Sequence, residues 1–506
     1  MLLTVDNFLN KITMYRLVLY YLTGLFLIAL VFSIFGILPY APLALIYSLV
    51  ALLVVCVLTN MLFARVFSVE ANVESTYITV FILALIITPI AISDIHGGLF
   101  LIWAGVIAMA SKFIFAIDRK HIFNPAAFAV AITAVTIGKS ASWWIGGNIP
   151  MFLFVVVGGV LVVRKIRHVD LLVAFFTAAL VSVALFARAG VDPLLSIQKA
   201  LLHSPIFFLA FVMLTEPLTT PPTRKLRILY AGLVGILYSP AVHLASIYST
   251  PELALLVGNI FSYCVSPKGK LLLRLKEINT IAFGTQEYVF DAPLIPQFKP
   301  GQYMEWTLGQ PHIDSRGNRR FFTLASSPTE RVIRLGVRMY LNASTFKSTL
   351  STLKPGDTLV AGQLSGDFVL PHDARKKLVF IAGGIGVTPY RSMIKYLLDK
   401  NEKRSITLLY SNKTKEEIAY KELFDEAVVK LGMKSVYTIT DSMSPDWGGR
   451  TGFITRAMIE EEVPDHLESI FYISGPQAMV TTFVKILTEM GIPKSHIKTD
   501  FFPGFA

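Results

Sequence analysis

The sequence predicts a polytopic α-helical membrane domain of about ten spans, arranged as inverted five-helix repeats. A cytoplasmic antiparallel β-barrel and a Rossmann-like α/β domain follow it. Three observations predict this. The chain is 54% hydrophobic and 16% charged over 506 residues, against about 25% charged in an ordinary soluble chain. The charges are unevenly placed: 15 Lys+Arg and 9 Asp+Glu precede residue 266, and 31 and 25 follow it. Periodicity also changes after Ser266-Pro267-Lys268-Gly269-Lys270, from long apolar runs to short β-type segments and then to strand–helix alternation. The expected domains are 1–265, 266–373 and 374–506.

The first apolar run, Leu17 to Ala64, carries no charge and is broken at Pro39-Tyr-Ala-Pro42. It is too long for a cleavable signal peptide and gives two spans. Further apolar segments fall near 77–92, 99–117, 125–138, 151–163, 169–187, 205–215, 228–246 and 252–264. With the N-terminus inside, twelve Lys/Arg lie in inner segments and three, Lys139, Arg188 and Lys199, in outer loops. This positive-inside bias places both termini in the cytoplasm of a bacterial-type plasma membrane, with the bilayer as a partner. Each part carries net +6, so no basic tract calls for nucleic acid. The third segment of each half ends similarly, in Thr88-Pro89 and Thr215-Glu216-Pro217. Such Pro-interrupted segments point to a central site in inverted-repeat proteins, although Pro also simply ends a span.

Cys56 and Cys264 are the only cysteines, which excludes a disulfide framework and a four-cysteine metal site. Both read as small apolar residues to be buried. Only His243 is expected within a span, so paired histidine ligands for haem are not expected.

Two polar stretches lie toward the inner face. Phe123-Asn124-Pro125-Ala126 opens the fifth span, and Thr215-Glu216-Pro217-Leu218-Thr219-Thr220-Pro221-Pro222-Thr223 follows the eighth. A helix opening at Asn-Pro offers free N–H groups to an anionic or carbonyl-rich ligand, and Glu216 near the bilayer needs partners. With Arg224–Arg227 and Tyr230-Ala231-Gly232, these stretches resemble the NqrB/RnfD family of flavin-carrying respiratory subunits. The resemblance implies a membrane flavin, with Asn124, Pro125, Glu216, Thr219, Thr220 and Thr223 as its contacts. The Ser-Gly-Ala-Thr tetrapeptide through which that family esterifies FMN does not occur. The implied FMN or riboflavin is therefore non-covalent.

Strands are predicted at 271–276, 287–291, 301–307, 320–326, 332–340 and 358–363, giving the barrel. Arg320-Phe321-Phe322-Thr323 stands on the fourth. An Arg fork can hold a pyrophosphate, the aromatic two residues on can stack on a flat ring, and the hydroxyl can bond a ring nitrogen. Ser344, Thr345 and Lys347 are a candidate second phosphate contact, Ser344 equally a helix N-cap, and Arg338 is a further candidate cofactor contact.

From Lys377 alternating strands and helices begin: 377–382, 389–399, 405–410, 416–431, 435–440, 451–460, 469–473 and 476–490. Phe380-Ile-Ala-Gly383-Gly384-Ile-Gly386-Val-Thr388-Pro389 runs from strand through a glycine turn into a helix, with Thr388 as N-cap. Such a turn lets a pyrophosphate approach the helix N-terminus. Ser474-Gly475-Pro476 follows another apolar strand, and the chain ends Asp500-Phe501-Phe502-Pro503-Gly504-Phe505.

Together, in this order, residues 268–506 resemble the ferredoxin–NADP reductase superfamily. The Arg-x-aromatic-Ser/Thr motif falls on Arg320, Phe322 and Thr323. The glycine motif falls on Gly383, Gly384, Gly386, Thr388 and Pro389, and Cys-Gly-Pro becomes Ser474, Gly475 and Pro476. The acidic–aromatic end falls on Asp500 and Phe502. The resemblance implies FAD and NADH or NADPH as cofactors, with Thr323, Ser474 and Phe502 nearest the chemistry and Phe505 available to cover a ring. Thr440-Asp441 at a strand end, with no arginine, favours NADH. The expected function is a membrane-bound NAD(P)H dehydrogenase that passes electrons through FAD to a membrane flavin, then to a quinone or an extracytoplasmic redox protein. A transporter-like membrane domain with a regulatory or energising flavin reductase is the alternative, and a haem-type transmembrane reductase is a further one.

Overall fold

The computed structural model describes residues 12–67, 73–117, 120–166, 168–187, 191–244, 247–266, 270–292, 295–309, 318–340, 343–441 and 447–500, with Val5 and Leu9. The chain divides into two compact units, Met1–Gly269 and Lys270–Ala506. Phe502 and Phe505 lie outside the described residues.

The first unit is helical. In order come α1 (Met14–Ile34), α2 (Pro42–Val66), α3 (Val73–Ile86), α4 (Ile95–Ile114), α5 (Pro125–Ile137), α6 (Ile149–Ile166), α7 (Val169–Leu185) and α8 (Pro193–Leu202). Next is α9 (Ile206–Phe208), which runs on as a π turn (Leu209–Met213), then α10 (Arg224–Leu237) and α11 (Pro251–Val265). Polar caps set several starts. Asp94 accepts from the Gly97 N–H, Asn124 from Ala127 and Thr250 from Leu253; Pro125 and Pro251 occupy first-turn positions where no N–H is needed. Among the described residues, α1, α2, α4 and α6 are long and apolar enough to cross a membrane. There are five such spans if α8 and the Ile206–Met213 segment, bent by 62°, count as one. Many large apolar side chains are exposed, among them Phe35, Val135 and Leu185, as suits a lipid-facing surface.

Three expectations change here. The eighth apolar segment is a short helix and a π turn rather than a regular span; Leu214 N–H bonds the Leu209 carbonyl in place of the i−4 partner. The ninth ends at Leu237 because Pro240 follows and cannot donate to a continuing helix. His243 therefore leaves the helix and pairs with Tyr248 in a two-residue ladder. Cys264 is exposed, whereas Cys56 is buried.

Among the described residues, the second unit has two sheets. The antiparallel one contains β1 (Leu271–Ala282), β2 (Thr285–Asp291), β3 (Tyr303–Thr307), β4 (Arg319–Thr323), β5 (Ile333–Arg338) and β6 (Thr358–Ser365), in the order β4-β3-β6-β1-β2-β5. The helix α12 (Thr345–Ser351) sends Phe346 and Leu350 into its core beside Leu273, Phe290 and Trp306.

The parallel sheet contains β7 (Leu378–Gly383), β8 (Ile406–Asn412), β9 (Lys434–Ile439), β10 (Arg450–Thr451), β11 (Ile470–Ser474) and β12 (Ile497–Asp500). Its order is β10-β9-β8-β7-β11-β12. The strands step outward from β7 to one side, and the chain then returns to the other side at β11. That reversal is the switch point at which open α/β sheets receive ligands, beyond the carboxyl ends of the strands. Every residue of β7 is buried, as a central strand covered on both faces requires. The helices α13 (Thr388–Lys400), α14 (Lys421–Leu431), α15 (Arg456–Glu462) and α16 (Gln477–Glu489) flank this sheet in sequence.

Candidate functional site

Parallel register aligns the strand ends at the switch point. Ala382 on β7 pairs with Ser474 on β11, and Ser474 pairs with Asp500 on β12. The turn after β7, Gly384–Val387, is 3-10 and runs directly into α13. Thr388 is therefore the first helical residue rather than the cap; its hydroxyl donates back to the Ile385 carbonyl at 3.2 Å. Gly386 lies against the loop after β11: a methyl group there would sit 2.5 Å from the Ser474 carbonyl oxygen and 2.6 Å from Gly475 Cα. Gly384 has φ +53, in the left-handed region that glycine enters without strain. Pro476 precedes α16, so the starts of α13 and α16 lie side by side at this end of the sheet.

The barrel contributes from β4. Thr323 is buried, and its hydroxyl donates to Asp500 Oδ2 at 3.3 Å. Burial pushes the Asp500 carboxyl up to about 7, only partly offset by the Thr323 bond. Arg320 lays its guanidinium 5.2 Å from the Phe346 ring centre and donates to the Arg319 carbonyl. Phe322 also meets Phe346, at 5.9 Å, while Phe321 turns to the opposite side against Tyr303. Ser344 caps α12 by accepting the Lys347 N–H at 3.3 Å, with Thr345 beginning that helix. The Lys347 ammonium donates to the Arg338 carbonyl at 3.0 Å and lies over the Tyr340 ring. Arg338 forms a bidentate pair with Glu417, and its Nη1 is the nearest atom, at 3.6 Å, to a methyl built on Gly384.

The two domains of this unit are clamped beside the cleft. Arg391 on α13 holds Glu330 bidentately and donates to the Ala325 carbonyl at 2.9 Å. Ser392 Oγ donates to the Ser326 carbonyl at 2.6 Å. Sequence reading missed Arg391, Glu330 and Glu417, whose partners lie far along the chain and leave no local signal.

A second polar cluster lies within the helical unit. Asn124 Nδ2 donates to Glu216 Oε2 at 2.9 Å, and Thr219 Oγ1 donates to the same oxygen at 3.1 Å. His121 Nε2 is 3.6 Å from Glu216 Oε1. The Asn124 N–H bonds Asn259 Oδ1 at 2.8 Å, and Asn259 Nδ2 reaches the Tyr230 hydroxyl at 3.5 Å. Thr220 donates to the Leu214 and Glu216 carbonyls. Thr223 stands apart at the start of α10 with no side-chain capping bond. Asn259 was missed; a lone amide in the apolar run Pro251–Val265 was its signal.

Residues 380–485 match the oxidoreductase NAD-binding domain family. The chain is 26% identical over 219 residues to the glycine betaine monooxygenase reductase subunit of Chromohalobacter salexigens, covering 42% of this chain and 59% of that protein. It is 32% identical over 200 residues to a Na(+)-translocating NADH-quinone reductase subunit of Neisseria meningitidis, covering 37% and 49%. Residues 380–485 of the second unit are thus similar to NAD-binding oxidoreductase domains. The chain spans about half the length of these relatives (59% and 49%). Among solved structures, the cytochrome P450 reductase of Amycolatopsis superposes at TM-score 0.42 with 25% identity, covering 48% of this chain and 71% of that one.

The end of the parallel sheet is compatible with a dinucleotide. The glycine turn and the Ser474-Gly475-Pro476 loop approach so closely that side chains are excluded, leaving backbone to face a phosphate. The buried Thr323–Asp500 pair supplies polar groups at the same end of the sheet.

Proposed function

We propose that this chain is a membrane-bound NAD(P)H dehydrogenase. The observation that supports it most is the convergence of Thr323 and Asp500 at the switch point where β7 and β11 end. The chemistry supplied by a bound FAD is acceptance of a hydride and its release as single electrons. Around it, Arg320 would hold the diphosphate of FAD, and Phe322 and Thr323 would hold and orient the isoalloxazine. Gly383, Gly384, Gly386, Thr388 and Pro389, with Arg338, receive the nucleotide diphosphate. Ser474, Gly475 and Pro476 line the nicotinamide side. Ser344, Thr345 and Lys347 act through the loop that carries the second phosphate contact. Thr440-Asp441, next to Lys413 through the Asp441 N–H, places an acidic group where a 2′-phosphate would be repelled, so NADH is the preferred donor.

In the helical unit, the reading is an NqrB/RnfD-type domain of ten apolar segments in two inverted halves, in the plasma membrane with both ends cytoplasmic. Two features support it. The third element of each half, α3 and the Ile206–Met213 segment, is buried along most of its length and interrupted. The freed carbonyls at the end of α3 are taken up locally: Ile86 by the Ser142 and Trp143 N–H groups, Ala84 by Trp144 Nε1. The cluster of Asn124, Pro125, Glu216, Thr219 and Thr220, with Thr223 at its margin, then takes a non-covalent FMN or riboflavin, and electrons leave to a quinone or an extracytoplasmic acceptor. Interrupted helices equally suit a transporter, with the reductase unit as its energiser. Reconstitution in quinone-containing vesicles tests the first reading. NADH oxidation that requires the lipid-phase or outer acceptor supports it; NADH-driven solute uptake without quinone reduction favours the second.

A further inference from the structure

The turn after β8 places an acid on the guanidinium nearest the glycine turn. Glu417 ends the 3-10 turn Lys415–Glu417. That turn is pinned to the barrel, because the Phe283 N–H donates to the Glu416 carbonyl at 2.8 Å. Glu417 is buried and takes both Nη groups of Arg338, Oε2 receiving Nη1 at 2.9 Å. The same Oε2 accepts the Lys413 N–H at 3.3 Å. Its carboxylate thus occupies a guanidinium fork and a backbone N–H, the donor set of an anion cradle. Arg338 Nη1 lies against Gly384, in the turn read here as the diphosphate site.

We propose that Glu417 is an internal anion that competes with the nucleotide diphosphate for Arg338 and thereby sets the KM for NADH. Glu417 fills the Nη1/Nη2 edge of the guanidinium, so a diphosphate that bonds this same edge beside Gly384 requires the carboxylate to give it up. The pinned turn limits how far the acid can retreat. Glu417 is a positioning residue: it acts through Arg338 and weakens nucleotide binding more than turnover. The proposal rests on the reading of Arg338 as a nucleotide contact.

The test uses the full detergent-solubilised chain, with NADH as donor and ferricyanide as acceptor. Glu417→Gln should lower KM by about threefold or more, with a smaller change in kcat. Arg338→Ala should raise KM, and adding Glu417→Gln to it should give no gain. Retained FAD and an unchanged melting temperature check folding; if Glu417→Gln fails that check, Glu417→Asp, which shortens the reach to Arg338, takes its place under the same criteria. An unchanged or raised KM in the Glu417 variant, with a raised KM in Arg338→Ala, overturns the proposal and leaves the site reading intact. An unchanged KM in Arg338→Ala overturns both.

Discussion

Thr323 on the barrel and Asp500 at the end of the last described strand are hydrogen-bonded at 3.3 Å across the cleft between two domains. Asp500 is buried, and burial brings its carboxyl up to about 7, so it changes charge near neutrality. A proton held there is well placed for acid–base work. Steady-state NADH oxidation should therefore show an inflection near pH 7 that Asp500→Asn removes. The folded value lies above the ordinary carboxylate value, so stability is fully present below about pH 4 and falls as pH rises toward 7. Denaturant titration across that range should show the fall in the native chain and its loss in Asp500→Asn; a parallel slope in the variant rejects the assignment.

Gly386→Ala tests the cradle. The new methyl meets the Ser474 carbonyl oxygen at 2.5 Å, so the two loops must separate. Overpacking of this kind costs about 1–3 kcal/mol. A lower melting temperature and a raised KM for NADH are expected together; a KM unchanged in a destabilised protein would detach the turn from nucleotide binding.

The Arg391–Glu330 clamp carries a pH dependence of the opposite sign. Burial alone would raise the Glu330 carboxyl, but the hydrogen bonds and charge of Arg391 outweigh it and hold it below its ordinary value. Stability from this pair is present above the ordinary carboxylate range and is lost as pH falls through the depressed value. Arg391→Ala leaves the Ala325 carbonyl short of a donor, while Glu330 keeps Arg334 and the Ser327 N–H, and should cost about 1–3 kcal/mol. Urea unfolding at neutral and acidic pH checks both: the gap between native and variant should narrow in acid.

In the helical unit, Asn124→Ala removes the amide that bonds Glu216 and caps α5. Loss of a cap costs about 1 kcal/mol, so the unit should fold. Flavin released on denaturation of this variant should fall by the membrane-bound share, while FAD stays constant. Undiminished total flavin would remove Asn124 from that site.

The reductase unit was largely legible in the sequence because its signals are local. Glycines at 383, 384 and 386 sit between an apolar strand and a helix, and strand boundaries followed composition to within a few residues except in β1, which runs on to Ala282. Asp500 was read only through its resemblance to a family motif, since its partner Thr323 is 177 residues away. Glu417 and Glu330 carry no local mark: their roles arise from facing Arg338 and Arg391 across a domain boundary. In the helical unit, hydropathy located the segments but not their interruptions. The π turn at Leu209–Met213 is as apolar as a regular span, and nothing in composition separates the two. The Asn124–Glu216 contact was foreshadowed by two polar stretches, but Asn259, which links Asn124 to Tyr230, was hidden inside an apolar run.

Flavin stoichiometry of the purified full chain tests the central claim most directly. Acid extraction followed by chromatography should give two flavins per chain: one FAD, and one FMN or riboflavin released without proteolysis. One FAD and no second flavin, in protein that still oxidises NADH and reduces quinone, would contradict a relay through the membrane unit.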